Sequence, residues 1–511
     1  MMLINIFIRY IVIPAMALLI PAYFYENSGI PEVRAYVRES SGTYENLQYT
    51  EYGNHIEITG CDTSITNAVI PAEINGLPVT AIAENAFLEC SGLTSVTIPD
   101  SIESIGESAF WYCSGLKSVK IPAGVKNIGG DAFFGTPWLE SECKKNPLVI
   151  VNNILIDGKL CEGNVVIPDG VTKISGYVFS GCTGITSVKI PYSVKNIGND
   201  AFSRCSGIKS IVIPDGVVSI GSDAFSRCSE LKSIKIPESV SDIGGNVFEG
   251  TPWLESEQKK NPLVVVNNVV VDGTACSGDI VIPDGVTCIS INAFSCCSGL
   301  TSAVIPESVK TLGEHAFFQC TGLKSVTIPE GVTTIGNSVF SDCPALKKIV
   351  VPESVNFIGN GAFWFCSGLT EITILNPECE IYDSADVICN EYDTFKGKIH
   401  GYSGSTAQEY AQKYGYNFES MGDAPVYKTG DVNGDGKTDA TDATAILVEY
   451  ALASTEKPTE FNSAQKRAGD IDNDGKIDST DASRVLEYYS YLSTGGAITD
   501  MNKWLESTAN L

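Results

Sequence analysis

The stretch CSGLKSVKIPAGVKNIGGDAF, residues 113–133, contains the pattern that decides the fold. Apolar residues alternate in LKSVKI, which is typical of a short strand with one buried face. The proline that follows cannot donate a hydrogen bond to a central ladder, so it ends the strand. We interpret VKNI as a second short extended piece and GGDAF as the turn that leads into the next copy.

This pattern recurs every 23 residues through the middle of the chain. The prolines of its Ile-Pro or Val-Pro pairs are Pro99, Pro122, Pro168, Pro191, Pro214, Pro237, Pro283, Pro306, Pro329 and Pro352. Its phenylalanines are Phe87, Phe110, Phe133, Phe179, Phe202, Phe225, Phe248, Phe294, Phe317, Phe340 and Phe363. Two similar segments beginning GTPWLES, at Gly135 and Gly250, lie 115 residues apart and keep this register. We interpret them as degenerate repeats within a duplicated block of five.

A single copy cannot bury its own apolar face, so the copies must stack on one another. About twelve strands spaced by ~4.8 Å predict an elongated solenoid, roughly 55–60 Å long, with one long parallel sheet. The pattern resembles bacterial surface leucine-rich repeats of the BspA-like type over roughly residues 40–420. That resemblance implies a β-rich, curved leucine-rich-repeat solenoid whose role is binding, and it leaves the ligand open.

The composition argues against several classes of function. Acidic residues number 61 and basic residues 34, which gives a formal net charge of −27 and disfavours binding to nucleic acid or anionic membranes. The three histidines are far apart, which disfavours imidazole catalysis. A glycoside hydrolase would need two carboxylates roughly 5–10 Å apart across a cleft, whereas the acids here recur once per turn without converging. We therefore expect no enzymatic activity.

The N-terminal residues 1–35 read as a signal peptide or an N-terminal anchor, because residues 3–25 are strongly apolar. We expect export, with membrane attachment only if this segment stays uncleaved. The expected divisions after it are an N-terminal cap (36–75), the solenoid (76–375), a C-terminal cap (376–420), a linker (421–429), a small C-terminal domain (430–497) and a tail (498–511).

Nine of the 17 cysteines share the 23-residue spacing: Cys90, Cys113, Cys182, Cys205, Cys228, Cys297, Cys320, Cys343 and Cys366. We predict that this cysteine column fills the core, because free cysteine behaves as a small hydrophobic residue. Cys379 and Cys389 are the pair to test for a disulfide. The remote histidines and the lack of C-x-x-C pairs argue against zinc.

The solvent-facing positions of the predicted strands form a serine column flanked by lysines. These lysines make a candidate ligand face, here called the lysine strip: Lys117, Lys120, Lys189, Lys209, Lys232 and Lys235. One interpretation is a solvated sheet face. The other is a binding face for an anionic or hydroxyl-rich ligand, such as an extracellular protein or glycan.

Two acidic loops near the C-terminus change the chemistry of the chain. Oxygen ligands fall at loop positions 1, 3, 5, 9 and 12, and a lysine at position 7 offers its backbone carbonyl. The candidate metal ligands are Asp431, Asn433, Asp435, Lys437, Asp439 and Asp442, then Asp470, Asp472, Asp474, Lys476, Asp478 and Asp481. Glycine at position 6 permits a sharp turn, so each loop is expected to bind Ca²⁺.

Each loop precedes a helical pattern, but no matching helix precedes the first loop, and position 12 is Asp instead of the Glu of an EF-hand. Residues 430–496 therefore resemble a type I dockerin module. The resemblance implies a small all-α domain that folds around two Ca²⁺ ions and binds the cohesin module of a scaffoldin. It assigns partner choice to Ala440, Thr441, Leu447, Ser479, Thr480, Arg484 and Leu486.

Together these features predict a secreted, non-catalytic, cellulosome-associated binding protein in an extracellular, cell-surface multi-enzyme complex. The main alternative is a cell-surface adhesin or a structural spacer. A glycoside hydrolase or another polysaccharide-degrading enzyme is the weaker alternative.

Overall fold

The computed structural model describes residues 40–389, 394–424, 428–455, 461, 463–472 and 476–508. The chain forms two compact units, residues up to 256 and residues from 257 onward. The expected signal or anchor segment, 1–35, lies outside the described residues.

Most regular repeats contribute two short strands, as the alternation of apolar residues predicts. LKSVKI, residues 116–121, is an exception and forms no strand, contrary to the prediction, because α1 docks beside it. In the strand Ile185–Lys189, Ile185 and Val188 are buried while the residues between and after them face solvent. A second strand, Asn196–Ile197, follows the proline and buries Ile197. Corresponding strands of successive repeats pair in parallel, which confirms the predicted parallel-sheet solenoid.

The first unit starts with three antiparallel strands, and the last of them, which closes the N-terminal hairpin, pairs in parallel with the next repeat. A second hairpin starts a new ladder in the same way after residue 148. The strands are Ser40–Tyr44, Leu47–Tyr52, His55–Cys61, Asn67–Val69, Glu73–Ile74, Leu77–Ile82, Ser95–Thr97, Ser104–Ile105, Asn127–Ile128, Val149–Val151, Ile154–Asp157, Gly163–Val166, Lys173–Ile174, Ile185–Lys189, Asn196–Ile197, Ser210–Val212, Ser219–Ile220, Ser233–Lys235 and Asp242–Ile243.

The second unit also begins its ladder with a hairpin. Its strands are Val264–Val266, Val269–Asp272, Gly278–Val281, Cys288–Ile289, Leu300–Val304, Thr311–Leu312, Ser325–Thr327, Thr334–Ile335, Lys348–Val351, Phe357–Ile358, Glu371–Ile374, Glu380–Ile381, Lys398–Ser403 and Asn417–Asp423. Among the described residues, the helices are α1 (Pro137–Lys145), α2 (Pro252–Lys260), α3 (Thr406–Tyr414), α4 (Ala440–Ser454), α5 (Ser463–Gly469), α6 (Ser479–Ser493) and α7 (Met501–Thr508), with a 3₁₀ turn at Ala385–Val387.

The GTPWLES segments, interpreted above as degenerate repeats, contain helices α1 and α2. Thr136 caps α1 by accepting a hydrogen bond from the backbone of Leu139 at 3.1 Å, and a proline opens the helix. The backbone N–H of Trp138 then bonds to the Leu116 carbonyl at 3.0 Å, at the place where the next first strand would pair. The expectation of one long sheet was therefore wrong, because the strands divide into several shorter sheets.

The regular 23-residue spacing of the phenylalanines produces stacked columns of buried rings. In the first unit the ring centroids of Phe179, Phe202 and Phe225 are 5.1 and 5.2 Å apart. Trp253 packs edge-on against Phe248 at 4.5 Å, where this column ends. The inserted tryptophan thus covers the last ring of the stack.

The cysteine column lies in the core, as predicted. Six of its thiols donate to the carbonyl of the phenylalanine 26 residues earlier, at 3.0–3.2 Å. Burial raises the pKa of Cys113 to about 12 and that of Cys228 to about 11, so these thiols are poor nucleophiles. Cys379 and Cys389 are both buried free thiols.

Helix α3 covers the C-terminal end of the repeats. The Ser405 hydroxyl accepts a hydrogen bond from the Gln408 backbone at 3.3 Å, and the Gln408 side chain accepts one from Gly404 at 2.7 Å. The last strand, Asn417–Asp423, pairs in parallel with Lys398–Ser403 and continues past residue 420, where the linker was expected to begin.

Acidic side chains of several repeats converge near Tyr177, although the sequence suggested that the acids stay apart. A Cβ atom on Gly130 would lie 2.9 Å from the Cα atom of Gly176 and 2.7 Å from the Tyr177 ring. The irregular segment between these repeats therefore allows two turns that are distant in sequence to contact each other. Asp131 forms an ion pair with Lys159 at 2.5 Å beside this contact.

Glu107, in this cluster, should make the stability of the first unit depend on pH. Burial, assisted by the negative charges of Glu84 and Asp131, raises the pKa of Glu107 from 4.5 to about 7. The folded protein therefore holds this proton more tightly than the unfolded chain, and the resulting stability is complete below about pH 4.5 and is lost as the pH rises through about 7. Glu107→Gln should raise the free energy of unfolding at pH 8 by on the order of 1 kcal/mol and flatten its pH dependence.

Urea unfolding at pH 5 and pH 8 measures this effect. The exposed Glu162→Gln is the matched control and should behave like the wild type. If Glu107→Gln keeps the wild-type difference between the two pH values, the assignment to Glu107 is wrong.

Candidate calcium centres and partner-binding surface

The first loop, residues 431–442, is closed by the carboxylate at its last position. Asp442 Oδ1 accepts hydrogen bonds from the backbone of Val432 at 3.0 Å and of Asn433 at 3.2 Å. Its Oδ2 accepts one from the backbone of Asp439 at 2.9 Å. One buried side chain therefore joins loop positions 2, 3, 9 and 12.

The remaining predicted ligands of this loop bond to its own backbone. Gly436, at position 6, has a φ of +83° that other residues rarely adopt, and its N–H donates to Asp431 Oδ2 at 2.9 Å. Asn433 Oδ1 accepts from the Asp435 backbone, and Asp435 Oδ1 accepts from the Lys437 backbone, both at 2.9 Å. The loop thus places oxygen atoms along a single tight turn.

The second loop repeats the closure. Asp481 accepts from the backbone of Ile471 at 2.7 Å through Oδ1 and from Asp478 at 2.9 Å through Oδ2. Asp470, Asp472 and Asp481 each place one carboxylate oxygen within 4.8 Å of the others. Three of its predicted ligands therefore come together.

Two further predicted ligands of the second loop are Asp474 and Lys476. Asp474 lies outside the described residues. Lys476 is described, and its side chain is exposed, in keeping with a role for its backbone carbonyl alone.

The last residues of both loops also cap the helices that follow. Asp439 is the N-cap of α4, accepts from the Thr441 backbone at 2.8 Å, and forms a capping box with Asp442. Asp478 and Asp481 do the same for α6. Any cation held by a loop would therefore be coupled to the start of a helix.

The donor set fits a hard divalent cation. Asp431, Asp442 and Asp481 are at most 1% exposed, and among the described residues Asp431 Oδ1 is buried without a hydrogen-bond partner. Desolvation raises the pKa of Asp442 and of Asp481, which disfavours their charged forms. A cation would supply both the missing partner and the neutralising charge, and calcium accepts roughly six to eight such oxygens in flexible geometry.

Helix α7 completes the core of the helical region, although the sequence suggested a tail from residue 498. Met501 and Trp504 are buried with the apolar residues of α4 and α6. The Trp504 ring lies 5.4 Å from that of Tyr488, and the Tyr491 hydroxyl accepts from the Ala497 backbone at 3.1 Å. The apolar spacing of Met501, Trp504 and Leu505 was the signal available for this helix.

The two halves of the helical region differ at one buried position. Glu449 is 2% exposed, accepts from the Phe461 backbone at 3.1 Å, and pairs with Lys466 at 3.8 Å. The residue 39 positions later is Tyr488, which packs on Trp504. The internal duplication is therefore only approximate in the core.

All the predicted partner-choice positions are exposed: Ala440, Thr441, Leu447, Ser479, Thr480, Arg484 and Leu486. Leu447 and Leu486 occupy equivalent places on α4 and α6 and are 42% and 43% exposed. Their neighbours differ, because Val448 in the first half corresponds to Glu487 in the second. Helices α4 and α6 thus expose equivalent leucines, but the residues around these leucines differ in charge.

All six residues of the lysine strip are exposed in the first unit. Lys189 and Lys235 lie in strands, and the backbone of Lys232 donates to the Lys209 carbonyl at 3.0 Å. Lys117 and Lys120 lie outside any strand, beside the segment on which α1 docks. The lysines of the strip therefore recur at equivalent positions of the repeat, but the backbone segments that carry them do not pair as one continuous ladder.

Comparisons with known proteins agree with the two parts of the chain. A model of the BspA-type leucine-rich-repeat region matches residues 60–154, 159–270 and 272–390, and a model of the dockerin type I domain matches residues 429–489. No curated protein matches the chain.

Solved structures of bacterial leucine-rich-repeat proteins are similar to this chain. A leucine-rich cell-surface protein of Faecalibacterium prausnitzii is 26% identical, with 69% of this chain and 98% of that one covered and a TM-score of 0.28. A leucine-rich-repeat protein of Bacteroides ovatus is 22% identical, with 74% and 99% covered and a TM-score of 0.30. Among the described residues, no helix has the length and apolar character needed to cross a membrane.

Proposed function

Because the chain belongs to the BspA-type leucine-rich-repeat family and contains a type I dockerin domain, we propose that it is a secreted, non-catalytic binding component of a cellulosome. The dockerin domain binds the cohesin module of a scaffoldin, and the repeats bind an extracellular protein or glycan. Two observations support this proposal. Each acidic loop is closed by a buried Asp, and each loop leads into a helix with an exposed apolar face.

Two Ca²⁺ ions occupy the dockerin domain in this proposal, one in each loop. The ion supplies positive charge to buried carboxylates and holds each loop against the start of its helix. The ligands are Asp431, Asn433, Asp435, Lys437 (carbonyl), Asp439 and Asp442 for one ion, and Asp470, Asp472, Asp474, Lys476 (carbonyl), Asp478 and Asp481 for the other.

The cohesin-binding surface has two versions, one on α4 and one on α6. Leu447 and Leu486 are the apolar anchors, because large exposed apolar side chains at the centre of an interface contribute most when a partner buries them. Arg484 and Glu487 give the second version charges that the first lacks, since the equivalent residues there are alanine and valine. A given cohesin should therefore prefer one version.

Cohesin affinity tests this assignment. The double substitution Leu447→Ala and Leu486→Ala should weaken binding by about 100-fold, whereas the two single substitutions should have unequal effects. Isothermal titration calorimetry with the full chain, excess Ca²⁺ and a panel of cohesin modules measures this. Met421→Ala, at an equally exposed apolar residue outside the helical region, is the control. Unchanged binding by the double variant to every cohesin that binds the wild type would refute the assignment.

The lysine strip gives the repeats a positive face within a strongly acidic protein. Within the strip, Lys232 forms a long ion pair with Glu230 at 4.0 Å, and in the second unit Lys348 is paired with Glu371 at 2.7 Å. Charge reversal at Lys117, Lys232 and Lys235 should reduce binding to an acidic polysaccharide such as polygalacturonate at least tenfold, and wild-type binding should weaken as salt rises. Lys144→Glu on α1 is the exposed control.

Affinity electrophoresis with polygalacturonate and with neutral cellulose separates the outcomes. If the charge-reversal variant binds polygalacturonate and cellulose as well as the wild type does, the ligand face lies elsewhere on the repeats. Binding to neither would favour a structural spacer.

A further inference from the structure

A pair of thiols lies where the N-terminal hairpin meets the first repeat. Cys61 ends the strand His55–Cys61, and its Sγ atom lies 3.0 Å from the Sγ atom of Cys90. This separation is shorter than the roughly 3.5–4.0 Å optimum for non-bonded carbon atoms, and sulfur is larger than carbon. Closing it to a bond of about 2.05 Å needs roughly 1 Å of movement.

Cys90 differs from most of the cysteine column in its partner. Later thiols of the column, such as Cys113, donate to a phenylalanine carbonyl 26 residues earlier. The residue 26 positions before Cys90 is Ser64, in the turn that follows the hairpin. The thiol of Cys90 faces a second sulfur instead of a carbonyl, and Cys61 does not belong to the column.

We propose that Cys61 and Cys90 form a disulfide that fastens the N-terminal hairpin to the first repeat in the mature protein. The bond closes a loop of the chain between residues 61 and 90. It holds the hairpin over the end of the repeats, where no earlier copy packs. The proposal rests on the proposed export of the chain, because disulfides persist in oxidising compartments.

The reaction is thiol–disulfide exchange with an oxidant that itself carries a disulfide. The thiolate of Cys61 attacks one sulfur of the oxidant to give a mixed disulfide and one released thiol, and the thiolate of Cys90 then attacks Cys61 Sγ and releases the second thiol. The two cysteines lose two protons and two electrons, and the disulfide of the oxidant takes up both and becomes two thiols.

The accessibility of the two sulfurs indicates when the bond forms. Cys61 is partly exposed, whereas Cys90 is 1% exposed. Burial raises the pKa of Cys61, which disfavours the thiolate once the hairpin has docked. Exchange should therefore occur while the hairpin folds.

Peptide mapping of the full chain tests the bond directly. The chain contains no lysine or arginine between residues 61 and 90, but a glutamyl endopeptidase can cut after Glu73, Glu84 and Glu89. After refolding with Ca²⁺ in a buffer of oxidised and reduced glutathione, free thiols are alkylated and the protein is digested without reduction. The peptides that contain Cys61 and Cys90 should remain joined, two hydrogen masses lighter than their sum, and should separate on reduction.

Hydrogen exchange measures the consequence for the fold. Oxidation should slow exchange of the hairpin amides on the order of 100-fold in the wild type, because the bond restricts local opening. Cys61→Ser and Cys90→Ala should remove this response, whereas Cys143→Ser, at another partly buried thiol, should retain it.

Two results would overturn the proposal. One is separate alkylation of Cys61 and Cys90 in the oxidised sample, and the other is a bond from Cys61 to a different cysteine. Because purified protein is used, neither result bears on export or on cohesin binding.

Discussion

Chelating calcium should unfold the dockerin domain and abolish cohesin binding, while the repeats should stay folded. This expectation follows from the positions of Asp442 and Asp481, which close the two loops and cap α4 and α6. Without a cation, each loop buries carboxylate charge with no neutralising partner, which is costly. At free calcium of 1,000 times the dissociation constant, binding stabilises the fold by about 4 kcal/mol. That amount is comparable to what the core of so small a domain supplies.

Circular dichroism and cohesin titration, each with and without a chelator, measure the two parts separately. The helical signal and cohesin affinity should fall together, and the strand signal of the repeats should remain. Asp442→Ala should have the same effect at the first loop even in excess calcium, whereas Asp423→Ala, an exposed carboxylate in the last strand, should not. A chelated protein that keeps its helices and its cohesin affinity would contradict the calcium assignment.

Replacing Phe202 by alanine should be among the most damaging single changes in the first unit. Its side chain is completely buried between the rings of Phe179 and Phe225, 5.1 and 5.2 Å away. Removing it leaves a cavity and two unsupported ring faces, so we expect a loss of about 3–5 kcal/mol in the free energy of unfolding. In a repeat array, where each copy contacts only its neighbours, the loss can also split the unfolding transition in two.

Urea denaturation of the full chain in excess calcium checks this expectation. Tyr192→Ala is a matched aromatic control, because Tyr192 is 75% exposed and its removal should change stability by less than about 0.5 kcal/mol. A loss of under about 1 kcal/mol for Phe202→Ala would mean that the phenylalanine column does not support the stack.

The regular repeats were predictable because one physical rule acts at every copy. Leu-x-x-Val-x-Ile must bury alternate residues, and the proline after it must end the strand, so the strand, turn and core positions follow from the spacing. The two acidic loops were predictable for a similar reason, since a calcium-binding loop restricts which positions carry oxygen side chains and where glycine turns the chain. Asp442 and Asp481, at position 12, close the loops by accepting backbone hydrogen bonds.

The remaining features depend on contacts that the repeat register hides. Trp138 lies in a segment that keeps the 23-residue spacing, yet a threonine cap and a proline start a helix there. Trp504 lies in a short amphipathic segment that becomes a helix only against Tyr488 and its neighbours. Cys61 and Cys90 are brought together by the pairing of the N-terminal hairpin, which the sequence spacing alone does not specify.

Each GTPWLES segment ends one stack of rings with a tryptophan and is followed by a hairpin that starts the next ladder. This arrangement affects which changes in gene length the fold can tolerate. The segments at Gly135 and Gly250 are nearly identical and 115 residues apart, so unequal recombination between their coding sequences would insert or delete five copies in one event. Every resulting protein would still have a hairpin at the start of each ladder and a tryptophan at the end of each ring stack. Lineages of this gene should therefore differ in length by whole multiples of that block.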